Sequence, residues 1–139
     1  MSPRTANLNP ESPPPQTVLV VEDEVLIRLV IADYLRECGY RVHEAASADE
    51  AIAVLESRDV SVDIVFSDVI MPGSMDGFGL ARWVRANRPQ VDVVLTSGID
   101  RSAEIAGMLC QGGPLLEKPY EPQNVVDRIK QLLARGGRS

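Results

Sequence analysis

From Thr17 to Leu133 the chain alternates five times between a short apolar run and a longer amphipathic stretch. The runs are Val18 to Val21, Tyr40 to Glu44, Val62 to Ser67, Val91 to Leu95 and Pro114 to Glu117. Strands separated by helices have no hairpin turns with which to pair antiparallel. They lie parallel, joined by right-handed crossovers that lay helices over both faces of the sheet. The pattern predicts an α/β fold: a doubly wound five-stranded parallel sheet with five helices.

The helical stretches carry their own punctuation. Glu24 to Cys38 places Ile27, Val30, Ile31, Tyr34, Leu35 and Cys38 at helical spacing before Gly39 stops it. The strand that follows is short and more polar, as an edge strand is. Ser47-Ala48-Asp49-Glu50 reads as a capping box opening a helix to about Ser57. A third helix is expected from Asp76 to Asn87, burying Leu80, Ala81 and Val84 before Pro89. A fourth, Ser102 to Gln111, has only Ile105, Met108 and Leu109 as large anchors, and Pro122 opens a fifth striped by Val125, Val126, Ile129, Leu132 and Leu133.

Composition sets the outer limits. Residues 1–16 hold five of the ten prolines and little apolar bulk, so a disordered leader is expected ahead of a domain at 17–134 and a flexible tail at 135–139. A net charge of −6 with scattered basic residues argues against tracking nucleic-acid phosphates. No run reaches the length of a membrane span and the amino terminus lacks a signal-peptide pattern, so the expected setting is cytoplasmic. Cys38 and Cys110 form no Cys-x-x-Cys or Cys/His cluster; both are expected reduced and partly buried, with neither disulfide nor zinc.

Chemistry gathers at the strand ends. Glu22 and Asp23 follow the first run, and Asp68 ends the third ahead of a Met71-Pro72-Gly73 turn. In a parallel sheet these tips can lie side by side, and three crowded carboxylates raise one another's pKa unless a hard cation joins them. An oxygen-only set with open positions suits Mg²⁺; the plainer alternative is three separately solvated acids. Thr96 and Lys118 end two later runs, adding a hydroxyl and an ammonium. Such a set can hold phosphoryl oxygens while an aspartate attacks phosphorus.

This ordered set, Glu22-Asp23, Asp68, Thr96 and Lys118-Pro119, resembles the receiver domain of two-component response regulators over about Thr17 to Leu133. The resemblance implies a flavodoxin-like strand order, 2-1-3-4-5, with the acids at the topological switch point. It implies that Asp68 is the phosphoacceptor and that Asp23, Asp68 and the backbone carbonyl of Ile70 ligate Mg²⁺, with Glu22 acting through a bound water. Lys118, aimed inward by a cis bond to Pro119, would pair with Asp68 and then with a phosphoryl oxygen, and Thr96 would bond another. A histidine kinase or histidine phosphotransfer protein is the implied donor, and a phosphorylation-dependent dimer is compatible with the reading. Val25, Leu26 and Leu29 lie off the core stripe of the first helix, a face for such a partner.

The resemblance has departures. Leu115 stands where receivers commonly carry the aromatic switch residue, Tyr120 lies on the other side of Lys118, and the turn 72–77 is one residue longer than usual. With no output module in the sequence, the expected role is a single-domain regulator acting through another protein, not an enzyme. A phosphorylation-independent scaffold is one alternative. An aspartate-nucleophile phosphatase is another, but it needs a second acid soon after the nucleophile, and Asp68 is followed by Val69-Ile70-Met71. His43 on the edge strand, and Phe78 and Trp83 on the third helix, are assigned to surface or packing.

Overall fold

The protein is seen here as a computed structural model that describes residues 16–111. Four strands, β1 (Thr17–Val21), β2 (Arg41–Ala45), β3 (Ile64–Asp68) and β4 (Asp92–Thr96), form one parallel sheet in the order β2-β1-β3-β4. Four helices alternate with them: α1 (Val25–Glu37), α2 (Ala48–Glu56), α3 (Gly77–Asn87) and α4 (Ile99–Gln111). These are the first four strands of the expected order. The fifth strand, the fifth helix, Leu115, Lys118, Tyr120 and the 1–15 leader lie outside the described residues.

Central β1 is buried at every position because helices cover both of its faces, so its sequence is continuously apolar. Side-chain alternation sends Val18 and Val20 into a core with α1, and Leu19 and Val21 into one with α2 and α3. Edge strand β2 instead alternates between exposed and covered positions, and His43 faces solvent, away from the acids. Ser47 caps α2 by accepting from the Glu50 N–H at 3.2 Å. The Glu50 carboxylate reaches one residue further back than the usual box, accepting from the Ala46 N–H at 2.9 Å.

Two expectations need correction. Helix α4 begins at Ile99, a turn earlier than expected, and packs on the α1 face, where Ala103, Ala106 and Cys110 are fully buried. A right-handed crossover from β4 to a strand on its far side would carry its helix over the α2–α3 face instead. The cysteines are not reduced and partly buried: Cys38 and Cys110 form a disulfide, Cα atoms 5.4 Å apart, fully enclosed. Their 72-residue separation hid the pairing. It exists only because the end of α4 meets the end of α1, a tertiary contact that local spacing does not encode.

Candidate functional site

The carboxyl ends of β1, β3 and β4 converge at one edge of the sheet. Val21 pairs with Ser67 and Asp68 with Thr96, so the residues that follow β1 sit beside the tip of β3. Glu22, Asp23 and Asp68 each offer a carboxylate oxygen, all within 4.8 Å of one another. They line an open cleft of about 300 Å³ with Ile27, Ile70, Gly98 and Ser102.

The three acids differ in setting. Glu22 is buried, while Asp23 and Asp68 are half-buried. Glu22 is fixed by the Glu24 N–H, which donates to its Oε2 at 3.0 Å, and its backbone carbonyl accepts from Arg28 Nη1 at 2.9 Å. Arg28 is held in turn by Glu44, 3.2 Å away. Burial pushes the Glu22 carboxyl up to about 8; the Glu24 N–H opposes this, and the charges of Asp68 and Asp23 add to it. A carboxyl raised first by burial and then by two neighbouring acids is one whose ionised form a bound cation would favour. An oxygen-only set of this kind is compatible with Mg²⁺.

Local backbone holds Asp68 in place. The Val69 N–H donates to Thr96 O at 2.9 Å, and the Gly77 N–H donates to Val69 O at 2.8 Å. Together these bonds fold the loop after β3 back onto the sheet. A Cβ on Gly77 would lie 2.4 Å from the Asp68 carbonyl oxygen, so only glycine lets the start of α3 press against the Asp68 backbone. Asp76 caps α3 by accepting from the Gly79 N–H at 2.8 Å. The Ile70 side chain is 76% exposed at the cleft mouth.

Thr96 is buried, and its Oγ1 accepts from Ser102 Oγ at 2.9 Å. Ser102 and Gly77 escaped the sequence reading: nothing in the spacing of Thr96 and Ser102 forecasts that bond, and Gly77 resembled any turn glycine. Val25 and Leu29 are exposed on α1, with Leu26 half-covered. Trp83 packs at the edge of the α2–α3 core under the Arg88 guanidinium, and Phe78 is exposed. Lys118 lies outside the described residues.

Comparison with known proteins follows the same outline. Residues 18–130 match the response regulator receiver domain. The chain is 37% identical over 120 residues to the sensor kinase CckA of Brucella abortus, covering 86% of this chain but 13% of that protein. It is 32% identical to the transcriptional regulatory protein ResD of Bacillus subtilis, covering 88% of this chain and 50% of that one. The chain therefore spans half or less of these curated relatives. Among solved structures, the receiver domain of the hybrid histidine kinase CckA is 36% identical, with TM-score 0.53 over 83% of this chain and 96% of that one. The Thermotoga maritima regulator TrrA, crystallised with Mg²⁺-BeF, is 29% identical, with TM-score 0.53 over 59% of this chain and 69% of that one. TrrA in complex with the histidine kinase ThkA is 30% identical, with TM-score 0.55 over 60% of this chain and 70% of that one.

Proposed function

The chain belongs to the response regulator receiver family, and on that premise we propose that it accepts a phosphoryl group on Asp68 from a phosphohistidine donor and signals through protein contacts. The observation that carries the reading is the convergence of Glu22, Asp23 and Asp68 within 4.8 Å at the strand tips. An Asp68 oxygen attacks phosphorus, the phosphorus–nitrogen bond to the donor imidazole breaks, and the imidazole leaves as the neutral base once protonated. Mg²⁺ held by Asp23, Asp68 and the Ile70 carbonyl, with Glu22 behind, would neutralise the carboxylates and the oxygens of the transferring group. The Mg²⁺-BeF complex of TrrA supports this choice of ion.

The chain's own residues position the reaction. Gly77 and the Val69 bonds fix where Asp68 points, and the Glu24 N–H holds Glu22. Thr96, paired beside Asp68, has a hydroxyl free to turn toward a phosphoryl oxygen once it leaves Ser102. Lys118 is assigned the remaining positive charge. The exposed Val25 and Leu29 on α1 would meet a kinase or phosphotransfer helix, a partner class supported by the ThkA–TrrA complex. The protein is proposed to work in the cytoplasm as a single-domain regulator. The test is a phosphotransfer profile against the purified histidine kinases of the source organism. Rapid transfer to Asp68 from one of them supports the reading, and failure with every kinase, alongside a working control receiver, refutes it.

A further inference from the structure

We propose that Cys38 and Cys110 form a reversible redox site whose disulfide clamps α4 to α1 and so fixes two walls of the acidic cleft. Both helices start at that cleft. Glu24 and Ile27 of the α1 end line it, as do Gly98, Ile99 and Ser102 of the α4 end. Away from the cleft they are joined: Cys38 is the C-cap of α1, and Cys110 lies near the end of the described part of α4.

Between these points the seam is close. Ala103 and Ala106 are fully buried in it, and the Tyr40 hydroxyl donates to Leu109 O at 2.6 Å beside the disulfide. At the cleft end, α4 reaches Thr96 through the 2.9 Å Ser102 bond. A covalent tie at one end and a buried hydroxyl pair at the other leave α4 little freedom. The tie also holds α4 on the α1 face of the sheet. Releasing the tie removes a covalent constraint on α4.

Both sulfurs are buried in the closed fold, yet Cys38 sits at the end of α1, where local opening is least costly. Closure proceeds by exchange with a low-molecular-weight disulfide. One cysteine thiolate attacks it and expels one small thiol; the second cysteine attacks the resulting mixed disulfide and expels the other. Two cysteine thiols are oxidised, the small disulfide is reduced, and the two protons end on the released thiols.

The clamp stands on geometry alone; its effect on phosphorylation rests on the roles proposed for Asp68 and Thr96. The test equilibrates the full chain in buffers of varied oxidised and reduced glutathione, counts free thiols by alkylation and mass spectrometry, and follows amide exchange over 97–111. The expected result is an intramolecular disulfide that opens on reduction, with α4 amides exchanging about tenfold faster once it is open. Cys38→Ser and Cys110→Ala should each exchange like the reduced protein in every buffer. Full alkylation at every glutathione ratio, or identical exchange in both states, overturns the clamp. Labelling of Asp68 by acetyl phosphate should be about tenfold slower in the oxidised protein, about 1.4 kcal/mol of barrier. Equal rates overturn the link to the site. Loss of labelling in both states refutes the role of Asp68, and the exchange data still decide the clamp.

Discussion

The raised pKa of Glu22 makes a quantitative demand on metal binding. With its carboxyl pushed up to about 8 by burial and by the charges of Asp68 and Asp23, Glu22 should hold its proton to higher pH than an ordinary carboxyl when no cation is bound. A cation entering the cluster favours the ionised form, so binding releases a proton wherever the pH lies below about 8. Mg²⁺ affinity should therefore rise about tenfold per pH unit between pH 6 and 8, roughly a hundredfold in all, and level off above. Isothermal titration calorimetry in two buffers of different ionisation enthalpy reads the proton directly: close to one released at pH 6.5 and almost none at pH 9, as expected on the order of one ionising group. Glu22→Gln should flatten the profile.

The same shift carries a sign for stability. Because the folded-state value lies above the unfolded one, the folded protein binds more protons than the unfolded chain between about pH 4.5 and 8. Metal-free stability should fall as pH rises through that window, by at most about 5 kcal/mol if the whole shift is expressed. Saturating Mg²⁺ should remove the slope, which urea midpoints in the presence of Mg²⁺ or of a chelator can measure. An affinity that stays flat from pH 6 to 8, with no proton released, would show that Glu22 is not coupled to a bound cation.

Other perturbations separate the parts of the site. Gly77→Ala puts a Cβ 2.4 Å from the Asp68 carbonyl oxygen; it should cost about 1–3 kcal/mol in urea denaturation and weaken Mg²⁺ binding as well, and an unchanged Mg²⁺ affinity would deny Gly77 its role in placing Asp68. Leu29→Glu should slow transfer from a protein donor far more than labelling by acetyl phosphate, and equal slowing would indicate a folding defect instead of a lost docking face. Ile70 and Gly98 both line the cleft and neither offers a group that can orient a hydrolytic water, so Ile70→Asn should shorten the lifetime of the phosphorylated form, about tenfold per 1.4 kcal/mol of barrier lost. At Gly98, with φ +87°, asparagine is a better probe than glutamate because it tolerates the left-handed region; unchanged decay in both variants would dismiss the water-positioning idea.

The parts of the molecule legible in advance are those written in local pattern. The apolar run Val18 to Val21, the Ser47–Glu50 box and the stop at Gly39 each encode their element within a few residues, and the described helices and strands begin within a residue or two of expectation except at α4. There Ile99, Asp100 and Arg101 join the helix ahead of Ser102, because the Ser102 N–H closes a turn onto Gly98 O at 3.0 Å. The acid cluster was legible because strand order brings strand tips together whatever fills the core. What stayed hidden is non-local: the Cys38–Cys110 bond, the Ser102–Thr96 pair and the tight seat of Gly77 arise where one element lands on another. No periodicity records that.

If Asp68 is a Mg²⁺-dependent phosphoacceptor, labelling by acetyl phosphate, read by intact-mass and peptide mass spectrometry, shows it without any partner protein. The expected result is a single added phosphoryl group on the peptide containing Asp68, lost on hydroxylamine treatment as an acyl phosphate is. That group should be absent when Mg²⁺ is chelated and absent in Asp68→Asn, with the variant's circular dichroism unchanged. Labelling of Asp68→Asn at the wild-type rate, or labelling of the wild type that ignores Mg²⁺, would contradict it.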